Sequence, residues 1–249
     1  MTIKIWATSE DDSIEYMALT ADYLEGALGV LRKSFYRQEA ASVAVGIAKD
    51  DEAMDEIDDF VKTVAKEGVS LIALDKKTNA VCGVAFNKLQ AKKTGDEASD
   101  FHRLSEICRR PPAKDLIKFM DKADKQTDLF ALCEADCLLE IMFLSTLENY
   151  GNRGIATKLC EVSVRLARTL RYDRENVKQD IDGKELELEP IPEAVCALFT
   201  VPKSRRIGRR LNWTIAVTLG YEIFFTNGEP FSKFLPSDNR FTTVEYFII

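Results

Sequence analysis

Two nearby blocks decide the fold: Leu139-Glu140-Ile141-Met142-Phe143-Leu144-Ser145, then Asn149-Tyr150-Gly151-Asn152-Arg153-Gly154-Ile155-Ala156-Thr157-Lys158-Leu159. The first is an apolar run and predicts a strand over residues 138–144. The second is a glycine-containing turn. After it, Ile155, Leu159, Val162, Leu166 and Leu170 recur at three- and four-residue spacing, predicting a long helix over residues 153–170. A strand that passes through such a turn into a helix aims several free backbone N–H groups at one spot, where the helix dipole adds partial positive charge. Glycine at 151 and 154 lets the main chain approach a ligand closely and permits positive φ. Arg153 and Lys158 add local positive charge, so the turn is a candidate diphosphate cradle, with ordinary helix capping as the other reading. The Gly-Lys-Ser/Thr ending of a Walker loop and the GxGxxG of a dinucleotide fold are both missing, which leaves a kinase or dehydrogenase without its motifs.

Outward from this centre, alternation predicts a strand over residues 3–6, and apolar faces predict helices over 20–35 and 50–66, the second acidic at its start where the dipole favours negative charge. Residues 69–74 and 80–86 read as a hairpin about Asp75-Lys76-Lys77-Thr78-Asn79. Residues 90–126, interrupted by Pro111-Pro112, read as helical segments in an excursion over the sheet, and 171–192 as a charged surface insertion with a turn at Asp182-Gly183. Strands over 194–199, 215–225 and 243–249 and a basic helix over 203–210 complete the order. The pattern predicts an α/β fold in one domain, its mixed sheet antiparallel early and with a parallel crossover late.

The chain has 249 residues, 34 Lys+Arg against 41 Asp+Glu and a formal charge of −7, an acidic balance that argues against nucleic-acid binding. No stretch approaches the ~20 apolar residues of a membrane helix. The start turns acidic at Glu10, Asp11 and Asp12, and the end shows no prenylation cysteine, so the expectation is a cytoplasmic, monomeric protein. Six scattered cysteines with no CxxC pair read as buried thiols and not as a metal site, although Cys133 and Cys137 could share a helical face. A single histidine, His102, in a polar stretch without a nucleophile motif argues against Ser-His-Asp and Cys-His hydrolysis.

Gly151-Asn152-Arg153-Gly154-Ile155-Ala156 resembles the acetyl-CoA signature of the GNAT N-acetyltransferases, Arg/Gln-x-x-Gly-x-Gly/Ala: Gly154 and Ala156 match, and Gly151 replaces the Arg or Gln. Residues 31–39, 68–75 leading to 83–87, and 198–200 through 204–211 are similar to the insect arylalkylamine N-acyltransferase branch, in order along nearly the whole chain.

The resemblance implies a splayed mixed sheet with acetyl-CoA in the gap between the strands ending at Ser145 and Thr200. Pantetheine would pair with main chain at Leu144 and Ser145. The diphosphate would lie on the amides of Asn152, Arg153, Gly154, Ile155, Ala156 and Thr157. The acceptor would be a small primary amine such as an arylalkylamine. Because an alkylammonium has a pKa of about 10, a base is needed, and the branch's glutamate matches Glu39, whose carboxyl in an apolar cleft would be shifted toward neutral pH. Position 40 is Ala where the branch has Pro. The branch's two positioning hydroxyls map onto Thr200 and Ser204, and Lys203 replaces the tyrosine acid of other superfamily members. On the residues alone, Glu39 is equally a helix cap or ion-pair partner, Ser204 the N-cap of a helix over 205–210, and the run Arg205, Arg206, Arg209, Arg210 a solvated face or a contact to the far end of the coenzyme. A coenzyme-binding protein with weak turnover is the alternative function.

Overall fold

The computed structural model describes residues 4–92, 100–173 and 178–249. The chain opens with β1 (Ile5–Thr8), β2 (Ile14–Ala18) and α1 (Ala21–Val30), which runs into a π-turn over Leu31–Phe35 and then α2 (Tyr36–Gln38) and α3 (Ala40–Val45). Next come α4 (Asp51–Ala65), β3 (Leu71–Asp75), β4 (Ala80–Ala91), α5 (Asp100–Ile107), α6 (Pro111–Asp124) and α7 (Leu129–Cys133). The second half contains β5 (Cys137–Thr146), α8 (Ile155–Tyr172), the short β6 (Lys178–Gln179) and β7 (Glu185–Leu186), β8 (Ala194–Phe199), α9 (Pro202–Arg210) and β9 (Thr214–Gly220). The short β10 (Phe225–Thr226) and β11 (Glu229–Pro230) precede β12 (Phe241–Ile248).

Eight strands form one mixed sheet in the order β1-β2-β3-β4-β5-β8-β12-β9. The first five are antiparallel neighbours, and the β5–α8–β8 crossover makes the parallel pair, as the sequence pattern predicts. On one face, the apolar stripe of α8 (Ile155, Leu159, Val162, Leu166, Leu170) packs on Leu71, Leu139, Ile141 and Val195. On the other, α1, α3, α4 and α6 cover Ile72, Val84, Phe86, Leu138 and Phe143. Burying apolar stripes on both faces is what makes β3 and β5 near-continuous hydrophobic runs instead of alternating ones.

Several expectations shift. The opening strand begins at Ile5, two residues late, and Ile3 lies outside the described residues. β2 went unpredicted because Ser9, Asp11 and Ser13 hide it behind a polar turn, in which Asp11 Oδ1 accepts from both hydroxyls and from the Ser13 amide. Pro111 and Pro112 begin α6 and do not merely interrupt it, since a missing N–H costs nothing in a first turn. The excursion over the sheet is helical as expected, and α6 packs into the core there, burying Leu116, Ile117, Phe119 and Met120; residues 93–99 of it lie outside the description. The Asp182-Gly183 turn forms, with Gly183 at φ 81, and residues 174–177 of that insertion are likewise outside it. The strand predicted over 215–225 stops at Gly220, where a 3-10 turn over Tyr221–Ile223 takes over.

Candidate active site

The turn before α8 forms, but with a different distribution of backbone strain. Gly154 is left-handed at φ 78 and precedes the first helical residue, while Asn152, not Gly151, supplies the second positive φ, at 61. Gly151 is ordinary extended backbone at φ −60, ψ 155, and its amide donates to the Glu148 carbonyl at 2.9 Å. A Cβ there would stand 3.0 Å from that carbonyl oxygen, so a side chain in place of Gly151 would require a local shift of a few tenths of an ångström. Lys158 N–H is the first in α8 to bond within the protein, to the Gly154 carbonyl at 2.9 Å. Among the described residues, the amides of Asn152, Arg153, Gly154, Ile155, Ala156 and Thr157 donate to no protein group. Such a run of orphan donors is normally satisfied by water or a ligand.

The strand side of the site is open in the matching way. β5 pairs with β8 from Leu138↔Ala194 to Ile141↔Ala197 and then separates from it, although β5 continues to Thr146 and β8 to Phe199. Directly past the last pair, the β4–β5 register skips from Asn87↔Ile141 to Phe86↔Phe143, so Met142 forms a β-bulge. A bulge bends its strand and increases local twist, which accounts for the divergence. It also turns Met142 and Phe143 to the same face, both into the core under α1.

α1 does not continue smoothly into α2. The π-turn shifts its phase, a feature common at functional sites. It places Phe35 edge-on to Phe143, with ring centroids 5.3 Å apart. Glu39 then leaves helical geometry (φ −69, ψ 138) and caps α3, its Oε1 accepting from the Ala41 amide at 2.8 Å and its Oε2 from the Ser42 amide at 2.6 Å. Ala40 is the first residue of α3, a position suited to Pro, so Ala in its place keeps the turn. Beneath, buried Tyr36 donates to Asp58 Oδ1 at 2.6 Å and Arg32 Nε to Asp58 Oδ2 at 2.6 Å, which braces this junction against α4. Burial pushes the Tyr36 phenol well above its ordinary range, with the Asp58 carboxylate adding to the effect.

One cavity of about 1160 Å³ unites these parts. Glu39, Leu144 and Ser145 line it, as do Gly151, Asn152, Gly154, Ile155, Ala156 and Thr157 from the turn and Thr200 and Ser204 from the far side. Arg153 is the exception. Its guanidinium is held by Ser13 Oγ at 2.7 Å and Asp11 at 3.3 Å and lies over the Tyr150 ring, so only its amide stays with the cradle. Lys158 is paired with Glu161 at 2.6 Å. α9 starts at Pro202, which makes Ser204 the third helical residue and not the N-cap; its hydroxyl donates to the Val201 carbonyl at 3.0 Å and accepts from the Val201 amide at 3.2 Å. The Thr200 carbonyl accepts from Asn239 Nδ2 at 3.1 Å and from the Tyr221 hydroxyl, whose pKa is raised by burial and then by the nearby Glu39 carboxylate. The basic run divides: Arg206 and Arg210 line the cavity, while Arg205 turns to the Phe241 carbonyl at 2.7 Å.

Two cavity-lining carboxyls, Glu140 and Asp124, were given no role in the sequence reading. An acidic residue within an apolar strand was the available signal for the first; nothing local marks the second. The cysteines are buried and unpaired, and Cys133 and Cys137 share no helical face because one ends α7 and the other starts β5. His102 is exposed on α5. Among the described residues, no helix is long and apolar enough to cross a membrane.

No family model matches the chain, and no curated protein matches it in sequence. Solved structures do resemble it. Arylalkylamine N-acetyltransferase 2 from Aedes aegypti is 20% identical, with a TM-score of 0.75 over 95% of this chain and 99% of that one. A mosquito arylalkylamine N-acetyltransferase-like protein, 5b, is 15% identical at TM-score 0.71, over 95% of this chain and 100% of that one. The polyamine N-acetyltransferase of Drosophila melanogaster, which catalyses the formation of N-acetylagmatine, is 13% identical at TM-score 0.65, over 95% and 100%. With its bulged strand, open wedge and glycine-led helix, the chain has the GNAT fold of these N-acetyltransferases.

Proposed function

We propose that the protein is an acyl-CoA-dependent N-acyltransferase, working as one domain, that moves an acetyl group from acetyl-CoA to a small primary amine. The observation that carries this reading is the continuity of an unpaired β5 edge beyond Ile141 with unpaired amides at the start of α8. Pantetheine, an amide-bearing chain, replaces the missing β8 partner along Leu144 and Ser145. The diphosphate lies on the amides of residues 152–157. Arylalkylamines and the acceptors of the agmatine-forming neighbour both belong to the acceptor class.

The chemistry then follows from positions. Glu39 takes one proton from the acceptor ammonium, directly or through water, and the neutral nitrogen attacks the thioester carbon. The oxyanion that forms is met by main-chain N–H at the bulged end of β5. As the C–N bond forms, the C–S bond breaks. The coenzyme thiol, with a pKa like that of cysteine at about 8.5, takes the second nitrogen proton as it leaves, or leaves as thiolate while that proton passes to water. Thr200 and Ser204 position the reactants, with Ser204 acting through the first turn of α9. The second reading is a coenzyme-binding protein with weak turnover, favoured by the engagement of both Glu39 oxygens in the α3 cap.

Thiol release from acetyl-CoA across a panel of primary amines tests the proposal. Amine-dependent release supports it. Tight coenzyme A binding without such release gives the second reading, and absence of coenzyme A binding ends both.

A further inference from the structure

Acyl transfer as described gives the second nitrogen proton no protein group to carry it. Most hydroxyls that line the cavity are occupied. Ser34 donates to the Thr146 carbonyl at 2.8 Å, Tyr150 donates to Asp75 at 2.9 Å, and Ser204 bonds both main-chain groups of Val201. The Thr146 hydroxyl is sealed from solvent, and Thr157 belongs to the cradle. Ser145 and Thr200 remain. Each is only 6% exposed and lines the cavity, and among the described residues neither hydroxyl has a hydrogen-bond partner. Buried hydroxyls are ordinarily bonded, so each is open to a ligand or water in the cavity.

The two differ in placement. Thr200 follows the end of β8, whereas Ser145 stands on β5, the strand whose edge is proposed to pair with pantetheine. From Phe143 to Thr146 the register of β5 with β4 is regular, so side chains alternate. Leu144 turns to the face covered by α8, and Phe143 and Ser145 turn to the opposite face, where Phe35 meets Phe143. The segment carrying Glu39 lies on that face, tied to the end of β5 by the Ser34–Thr146 bond. Ser145 therefore has its main chain on the coenzyme side of the wedge and its hydroxyl on the acceptor side. A hydroxyl can give and accept a hydrogen bond at once, as a group between nitrogen and sulfur must.

We propose that Ser145 is a catalytic residue that relays the second nitrogen proton to the leaving sulfur. The inference rests on the acyl-transfer reading and refines it. As the tetrahedral intermediate collapses, its oxyanion re-forms the carbonyl and the C–S electron pair goes to sulfur. An N–H bond breaks as a new O–H bond forms on Ser145 Oγ, and the original Oγ–H bond breaks as an S–H bond forms. The amide and the free thiol result, and Ser145 ends as it began, with no further reactant consumed.

The test compares wild type, Ser145→Ala and Ser145→Thr, with acetyl-CoA and whichever of 2-phenylethylamine, n-butylamine and 1,4-diaminobutane wild type uses fastest. Ser145→Ala removes a hydroxyl that bonds nothing in the protein, so its urea midpoint should equal or exceed that of wild type. Its kcat is expected to fall by at least about tenfold, while the amine KM and the coenzyme A affinity change by less than about threefold. Ser145→Thr keeps a hydroxyl and should return kcat to within about threefold of wild type. An unchanged kcat in Ser145→Ala overturns the relay and leaves the acyl-transfer reading standing. A rise in amine KM alone also overturns it, by making Ser145 a binding contact, as does a Ser145→Thr variant as slow as Ser145→Ala. A lowered urea midpoint in Ser145→Ala overturns it in favour of a structural role. Thiol release by wild type with none of these amines removes the acyl-transfer reading, and the relay with it.

Discussion

The Ser34 hydroxyl donates to the main-chain carbonyl of Thr146 at 2.8 Å, joining the π-turn after α1 to the end of β5 that β8 has abandoned. Ser34 is buried, so this bond is shielded from competing water. It sets the segment carrying Glu39 against the strand edge proposed to hold pantetheine. Acceptor side and donor side of the cavity are thereby registered through one side chain.

Glu39→Gln is expected to lower kcat by more than about tenfold while coenzyme A affinity changes less than about threefold. The same change turns an amide –NH₂ toward the Ala41 or Ser42 N–H, so stability should fall by about 1 kcal/mol. Steady-state kinetics, calorimetry with coenzyme A and urea denaturation separate the three effects. An unaltered kcat would remove Glu39 from the mechanism and leave it a cap.

Gly154→Ala isolates backbone conformation, since no atom lies within 4 Å of the added methyl while φ is +78. A left-handed L-residue costs about 1–2 kcal/mol, relieved by rotating the amides of the cradle. Coenzyme A binding should weaken by about threefold or more, read by calorimetry. Full affinity in this variant would detach the turn from coenzyme binding.

Tyr36→Phe removes the donor to Asp58 Oδ1 and leaves a buried carboxylate oxygen unsatisfied. A loss of about 1–3 kcal/mol is expected in denaturant unfolding. Tyr23→Phe is the comparison: its hydroxyl bonds Asn79 at 3.3 Å in an exposed setting, and its loss should be undetectable. Equal effects would mean that the Tyr36–Asp58–Arg32 brace adds nothing.

Glu140 makes the free protein less stable as pH rises. Its folded-state pKa, pushed up to about 7 by burial and by Asp124, lies above the ordinary 4.5, so the native state holds the extra proton between those limits. That contribution is intact below pH 4.5 and is lost as pH rises through 7, a total of the order of 3 kcal/mol. Glu140→Gln should remove this slope, so the variant should gain on wild type steadily from pH 4.5 to 7.5 in chemical denaturation. Parallel curves would place the Glu140 carboxyl in water.

Local pattern and short-range chemistry determined a good deal without tertiary information. The helical repeat from Ile155 to Leu170 and the apolar run through Leu144 are periodicities, so strand, turn and helix were legible, and with them the orphan amides that any helix start must have. The stop of β5–β8 pairing at Ile141 was not legible, because it depends on Met142 being extruded from the register with β4, a relation between strands far apart in sequence. Glu39 was legible both as a candidate base and as a helix cap, and the cap forms; that it engages both oxygens depended on the π-turn and extended backbone around it. Arg153 read as a phosphate contact until the fold brought Ser13 and Asp11 to it from the opposite end of the chain. The facing of Glu140 and Asp124 into one cavity was decided by packing α6 on the sheet. Sequence spacing encodes which residues share an element's face, whereas the partners across that face, and hence the charge and solvation of each group, exist only once the elements have docked.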